Sequence, residues 1–440
     1  MQSQRIELPH LYTPRDYQLE AWRAMDGRKR VLLVWHRRGG KDKLCFNKII
    51  CRAIEQMGNY AYYFPTAKLG RKALWKNVDV KAGMRVIDHI PKGILIKPPN
   101  QTEMMVELIN GSTIQILGTE NLDVVGGNYA GVVFSEYQNQ NPLAWDLTRP
   151  ILAENGGFAW FNGTPRGENH LHELLKCNVT NPTWFTQVLS CETTGAITQA
   201  DIEEERRSGM SDALIRQEFY CDFSATNEAA IYGHEMTKAM IEGRIGGFPV
   251  DGNSPVHTFW DLGGPLNTVV WYGQRLPFGR WRWLRCDYGL NLTLAQRVAH
   301  MNSLGYDFGS HFFPHDANQT ARTGHTFATE AREAGLKNIV VVPPISDVWL
   351  GINAVQAIFN SFEFSTPACD IGIKGLKAYE SAPDTSRGVT VNKPLHTWAS
   401  HIADGVRTMG EADKLGLIPG NRSTVSFATQ QRAILATGTW

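Results

Sequence analysis

The hexapeptide Arg37-Arg38-Gly39-Gly40-Lys41-Asp42 has the residue types and spacing to hold a phosphate. Its glycines would let backbone N–H groups curl around phosphate oxygens. A helix starting at Lys41 would turn the positive end of its dipole toward the anion. Lys41 would then reach the β- and γ-phosphates of a nucleotide. Measured against G-x-x-x-x-G-K-[ST], Trp35 stands in the first glycine position. Asp42 stands where a hydroxyl residue normally ligates Mg2+. Taken alone, Gly-Gly-Lys between basic residues reads equally well as a solvated turn.

Two later segments bear on the same chemistry. Val132-Val133-Phe134-Ser135-Glu136 is an apolar strand that ends in a carboxylate. Glu136 would polarise the attacking water. The usual Asp-Glu pair is reduced here to Ser135-Glu136, so Asp42, or a water held by Ser135, would replace the missing metal contact. The plain alternative is an exposed Glu after a strand. Asn162-Gly163-Thr164-Pro165-Arg166-Gly167 follows a third strand. Thr164 would sense the γ-phosphate there and couple hydrolysis to motion; the plain alternative is a Gly-Pro turn. Upstream, Gln18 could read an adenine edge with its amide, although a surface Gln is the default.

The C-terminal half offers a second chemistry. Asp261 closes an apolar strand, Asp316 follows another in Pro314-His315-Asp316-Ala317, and Asp404 sits in a helix-like segment. Three such acids can gather two Mg2+ or Mn2+ ions that activate water and stabilise the leaving oxygen of a phosphodiester. Asp residues at strand ends are also ordinary turn formers. Asp287 is a candidate auxiliary acid, and His315 and His401 are candidates to support the metal ligands. Arg275, Arg280, Arg282 and Arg285, interleaved with Trp281 and Trp283, read as a basic-aromatic hairpin or as a solvated edge strand.

The elements that would position these groups alternate. Strand-sized apolar runs at Arg30–Trp35, Tyr60–Phe64, Tyr129–Phe134 and Phe158–Asn162 are separated by helical spacing, most clearly from Lys41 to Met57. Met105–Ile109 and Thr113–Leu117 flank Asn110-Gly111-Ser112, a hairpin signal. Such alternation predicts α/β architecture with a mostly parallel sheet. A Gly-rich, weakly periodic stretch follows. We place an N-terminal domain over 1–223, a linker over 224–253, a second α/β domain over 254–415 and a loosely held tail over 416–440.

Composition is that of a globular protein, and 440 residues exceed a single core, which favours two domains. No apolar run reaches the ~20 residues of a membrane span, and the start lacks a signal core, so a soluble, intracellular protein is expected. Seven scattered cysteines without C-x-x-C read as reduced thiols. A net charge of +1 means that a nucleic-acid partner would need a local basic patch.

Taken together, Trp35–Asp42, Phe134-Ser135-Glu136-Tyr137, Trp145–Leu152 and Asn162–His170 resemble the large terminase subunit of tailed double-stranded DNA bacteriophages. The order and spacing match over roughly Tyr12 to Met409. The resemblance implies a P-loop ATPase domain followed by a ribonuclease H-like nuclease domain, with Asp261, Asp316 and Asp404 as the metal-binding acids. It implies ATP and Mg2+ as cofactors, Mn2+ substituting in the nuclease. Its partners would be double-stranded DNA, a portal protein, a small terminase subunit and further copies of the chain in a ring. The protein would work in the host bacterial cytoplasm, transiently docked on the procapsid portal. Family members often carry an Arg before Gly126, where Val125 stands. Arg37, Arg38, Arg149 and Arg166 are therefore candidates for the arginine that stabilises the transferring phosphate. A further acid of the family's nuclease is replaced by Asn267. The rival readings are a helicase-like repair nuclease and a degenerate DNA-binding or portal-docking protein without turnover.

Overall fold

The computed structural model describes residues 11–224, 229–319, 325–383 and 390–419. They fall into two units, each α/β. One comprises the residues up to Ala230 with Glu380–Trp398; the other comprises Ile231–Tyr379 with those from Ala399 onward.

The sheet of the first unit runs Met105–Glu107, Thr113–Gly118, Asn59–Phe64, Tyr129–Phe134, Phe158–Gly163, Arg30–Trp35, Trp184–Leu189. Its neighbours are parallel, except that Met105–Glu107 folds back on Thr113–Gly118. Parallel strands are covered on both faces and therefore read as unbroken apolar runs. Val31 to Trp35 and Val132 to Phe134 are completely buried. Helix Lys41–Glu55 lays Leu44, Cys45, Ile49 and Ala53 into the core. Strand Phe158–Gly163 lies between the strand that feeds the hexapeptide and the one that ends at Ser135 and Glu136. Carboxyl ends of parallel strands meet at one edge of a sheet, so all three functional segments emerge together.

The sheet of the second unit runs Ile245–Gly246, Phe362–Ser365, Trp281–Asp287, Val269–Arg275, Val256–Asp261, Phe308–Phe313, Ile339–Val341. Val256–Asp261, Val269–Arg275 and Trp281–Asp287 form an antiparallel meander. Phe308–Phe313 joins Val256–Asp261 in parallel, and Ile339–Val341 follows it. Helix Trp398–Lys414 covers one face: Trp271 Nε1 donates to Ile402 O at 2.9 Å and Thr408 Oγ1 to Trp260 O at 3.1 Å. Gly405 permits that approach, since a Cβ there would lie 2.8 Å from Trp271 Cδ1.

Several expectations need revision. Much of the expected linker 224–253 is structured: helix Gly233–Ile241 and strand Ile245–Gly246 lie in the second unit. Glu380–Trp398 belongs to the first unit, so the chain crosses between units more than once. Most of the expected tail, from 420 on, lies outside the described residues. The basic-aromatic segment is not an edge strand. Trp281–Asp287 is paired on both sides, and Trp281 and Trp283 are buried. Arg280 and Arg282 pair with Glu363, Arg285 with Asp287, and Arg275 lies 3.8 Å from Asp413. The alternation of Arg and Trp marks the outer and inner faces of one strand.

Two buried histidines on neighbouring strands make the second unit sensitive to acid. Burial holds His257 and His311 down to about 4. His257 Nδ1 also accepts the Ser310 N–H at 3.0 Å, a bond that protonation of that nitrogen would break. Below the ordinary imidazole value the unfolded chain takes up protons that the folded chain refuses. Stability is therefore lost as pH falls from about 6.5 to about 4, each histidine contributing up to about 3 kcal/mol. The stability gap between wild type and His311→Gln in urea unfolding should narrow by that order between about pH 7.5 and about pH 4.5. A gap that stays constant would refute the assignment.

Candidate functional site

The hexapeptide forms a tight loop between strand Arg30–Trp35 and helix Lys41–Glu55. Gly40 takes φ +79°, and a Cβ there would lie 2.8 Å from Gln18 Nε2, so glycine is needed twice over. The Lys41 ammonium is buried. It donates to Trp35 O at 3.0 Å, His36 O at 3.3 Å and Thr164 Oγ1 at 2.9 Å. The structure thus brings Lys41 and Thr164 together, as the sequence suggests.

Gln18 sits against the loop, with both ends of its amide hydrogen-bonded. Nε2 donates to Gly39 O at 3.0 Å, while Oε1 accepts from Tyr12 OH at 2.6 Å and Arg15 N at 3.0 Å. In this structure Gln18 braces the loop through one of its two Nε2 hydrogens. Tyr17 OH adds a bond to Gly39 O at 3.1 Å. From the far side, Arg37 N donates to Glu218 O at 2.7 Å and its guanidinium pairs with Glu218 at 3.3 Å. His36 contacts Thr194 Oγ1 at 2.7 Å.

Asp42 lies on the first turn of the helix and faces the ends of three adjacent strands. Its Oδ1 accepts from Ser135 Oγ at 2.5 Å, Tyr62 OH at 2.9 Å and Asn162 Nδ2 at 3.1 Å. Burial, and then the charge of Glu136, hold the Asp42 carboxyl above the ordinary value. Glu136 occupies the left-handed region at φ 53° and accepts from Gln138 Nε2 at 2.6 Å. Its N–H contacts Asn162 Oδ1 at 3.4 Å. Asn162 therefore links Asp42 to Glu136, and Gln138 positions the carboxylate. Neither role is visible in sequence, because a neutral amide announces no chemistry until its neighbours are known.

The arginine candidates separate by their partners. Arg166 is tied to Glu380 at 2.8 Å, and Arg149 lies over Trp145 and 3.5 Å from Asp146. Arg38 is exposed at φ 68° and has no polar partner among the described residues.

In the second unit, Asp261 ends strand Val256–Asp261 and Asp316 follows the parallel strand beside it, so both stand at one sheet edge. Asp404 lies on the covering helix, close enough to Asp261 for their charges to interact. Burial pushes the Asp261 carboxyl up to about 6; His401 Nδ1, at 2.9 Å, opposes that rise and Asp404 adds to it. Burial alone would lower His401, but the Asp261 bond and charge carry it above the ordinary imidazole value. Arg407 Nε donates to Asp404 Oδ1 at 2.9 Å and its Nη1 to Glu411 at 3.1 Å. The i, i+3 and i, i+4 spacing on one helix could have exposed this trio in sequence. Asp316 Oδ1 is buried without a hydrogen-bond partner among the described residues. No group of three His, Cys, Asp or Glu side chains among those residues stands in metal-holding geometry.

The secondary candidates fare differently. Asp287 is buried and occupied by Tyr272 OH at 2.8 Å, Arg285 at 2.5 Å and His300 at 3.2 Å, a structural role. Asn267 takes part in the turn after Asp261, its N–H donating to Gly264 O at 2.9 Å. His315 is exposed, and its charge is felt at Glu411. All seven cysteines are free thiols.

Arg407→Met should leave two carboxylates facing each other without their cation. Partial exposure makes the expected cost roughly 2 kcal/mol, less than for a fully buried pair. Adding Glu411→Gln should recover most of it in urea unfolding. If Arg407→Met is as stable as wild type, the trio contributes nothing.

No protein-family model matches the chain, and no curated protein matches it at the sequence level. Among solved structures, it is similar to the large terminase of a thermophilic bacteriophage in complex with ADP, at 14% identity and a TM-score of 0.40, covering 91% of this chain and 98% of that one. The ATPase domain of the Thermus phage P74-26 large terminase aligns over 48% of this chain and 94% of its own, at 17% identity and a TM-score of 0.40. The nuclease domain of the bacteriophage SPP1 large terminase, with bound Mn, aligns over 39% and 94%, at 11% identity and a TM-score of 0.31.

Proposed function

We propose that the chain is a large terminase subunit, an ATP-driven motor for double-stranded DNA joined to a metal-dependent endonuclease. The observation that carries the reading is the cluster at the edge of the first sheet. Lys41, Asp42, Ser135, Glu136, Asn162 and Thr164 come from one loop and two strand ends and are joined by direct hydrogen bonds. A phosphate loop alone is a common turn; one coupled to an acid strand and to a threonine just past the intervening strand fits a nucleotide-hydrolysing arrangement.

In this reading the loop N–H groups and Lys41 bind the β- and γ-phosphates, and Lys41 exchanges a loop carbonyl for a phosphate oxygen. Glu136, held by Gln138, takes the proton of the attacking water. Thr164 touches the same ammonium and passes its state to the segment that begins at Pro165. Bound Mg2+ would offset the charge that develops on the phosphates, and Asp42 and Ser135 are the residues placed to hold it. Arg38 is the best-exposed candidate for the activating arginine, serving its own site or a neighbour's in a ring.

In the second unit Asp261, Asp316 and Asp404 would hold the divalent ions, and the orphaned Asp316 Oδ1 fits such a role. Bound ions would activate water and stabilise the leaving oxygen of the phosphodiester. The motor would drive DNA through a portal into a procapsid, with a small subunit selecting the DNA and the nuclease cutting the concatemer. No described helix is long and apolar enough to cross a membrane, and the site of action would be the host cytoplasm.

Glu136→Gln should bind ATP but hydrolyse it at least ~100-fold more slowly, consistent with loss of a general base. Phosphate release with DNA and portal present checks this; equal rates in wild type and variant would sink the motor. Separately, Mn2+-dependent cutting of plasmid DNA should vanish in Asp261→Ala and Asp316→Ala. Cutting that persists in both would remove the nuclease assignment.

A further inference from the structure

The nucleotide reading leaves one chemical problem. Phosphate-loop enzymes hold Mg2+ with a hydroxyl on the helix, next to the lysine, and a carboxylate at the end of the acid strand. This chain has neither in its usual place. Asp42 follows the lysine and Ser135 ends the strand.

We infer that the two groups have exchanged sides, so that Asp42 on the helix is the direct Mg2+ ligand and Ser135 on the strand is the hydroxyl that orients it. This rests on the nucleotide reading above and deepens it. The inventory is unchanged: one carboxylate and one hydroxyl, hence the same formal charge facing the cation. Their contact exists, since Ser135 Oγ lies 2.5 Å from Asp42 Oδ1.

The surroundings fit a ligand carboxylate. All three donors, Ser135, Tyr62 and Asn162, converge on Oδ1. Oδ2 receives no hydrogen bond among the described residues, so one oxygen is fixed and the other is left for a hard cation. Tyr62 and Asn162 lie on the strands either side of the one that Ser135 ends, so the cage is built from the sheet. The three donors are neutral, so none of them forms an ion pair with the carboxylate. A water held by Ser135 would leave this arrangement unexplained.

The exchange predicts non-additive mutations. Asp42→Thr removes the only carboxylate of the pair. Ser135→Asp sets a second carboxylate against the first. The double variant Asp42→Thr/Ser135→Asp restores one of each on the conventional sides. The readout is the affinity of the full chain for a fluorescent ADP analogue, with Mg2+ and with EDTA. Wild type should gain about tenfold from Mg2+, each single variant should lose that gain, and the double variant should recover most of it. Asp42→Asn keeps the side-chain shape and an acceptor for the three donors; it should also lose the gain while retaining the wild-type melting temperature. An Mg2+ gain that survives in Asp42→Asn, or a double variant no better than the worse single, overturns the exchange while leaving the nucleotide site intact. A wild-type chain that binds no nucleotide under either condition removes the site itself, and the exchange with it.

Discussion

An ammonium group buried at the edge of a sheet has to be surrounded by acceptors, and in the first unit that requirement organises everything nearby. Taking a charge out of water costs far more than a single hydrogen bond returns. Lys41 meets the demand with Trp35 O, His36 O and Thr164 Oγ1. Two of these are the carbonyls where the strand ends and the loop begins, so the lysine closes the loop around its own side chain. The third belongs to the segment after the neighbouring strand. The loop is then braced by Gln18 and Tyr17 from one side and by Glu218 and Thr194 from the other. The lysine's hydrogen bonds are thus met within the protein, which holds the loop in shape.

Strand order converts that local constraint into a site. Phe158–Gly163 is inserted between the loop strand and the acid strand, so Asn162 and Thr164 fall midway between the two. Asn162 reaches Asp42 on one side and the Glu136 backbone on the other. Thr164 reaches Lys41. A shift of this strand by one residue would turn both side chains to the opposite face of the sheet and break both links. The unusual backbone of Glu136 belongs to the same logic: a left-handed residue after the strand turns the chain sharply at the sheet edge.

Much of this is legible in the sequence because parallel, doubly covered strands leave unbroken apolar runs. What the sequence conceals has physical reasons. Helix Asp370–Ala378 contains Gly372 and Gly375, which look like breakers. They are there because a Cβ would lie 2.2 Å from Trp271 Cη2 at one and 2.6 Å from Ile402 Cδ1 at the other. Strand Phe362–Ser365 is only four residues long and merges in the pattern with the helix before it. The arginines of Trp281–Asp287 give it the look of a surface, although period two with large aromatics is the mark of a half-buried strand. Gln138, Tyr62 and Asn162 matter only through what lies across the fold, and no spacing along the chain could disclose that. The acids at 261, 316 and 404 are legible by address, yet their cationic neighbours Arg407 and His401 decide how those carboxylates behave.

That last point separates the two units. In the first, Asp42 is held by a hydroxyl, a phenol and an amide, all neutral. Burial, and then the charge of Glu136, disfavour its charged form, and none of its hydrogen-bond donors is a cation. In the second, the protein supplies the compensation itself: His401 on Asp261, and Arg407 shared between Asp404 and Glu411. Only Asp316, among these acids, presents a buried oxygen with no partner among the described residues. In the first cluster every hydrogen bond to the carboxylate among the described residues falls on one oxygen and comes from a neutral group. In the second, two of the three acids already stand in ion pairs. The same residue type thus sits in two different electrostatic settings, set by whether its hydrogen-bond donors carry charge.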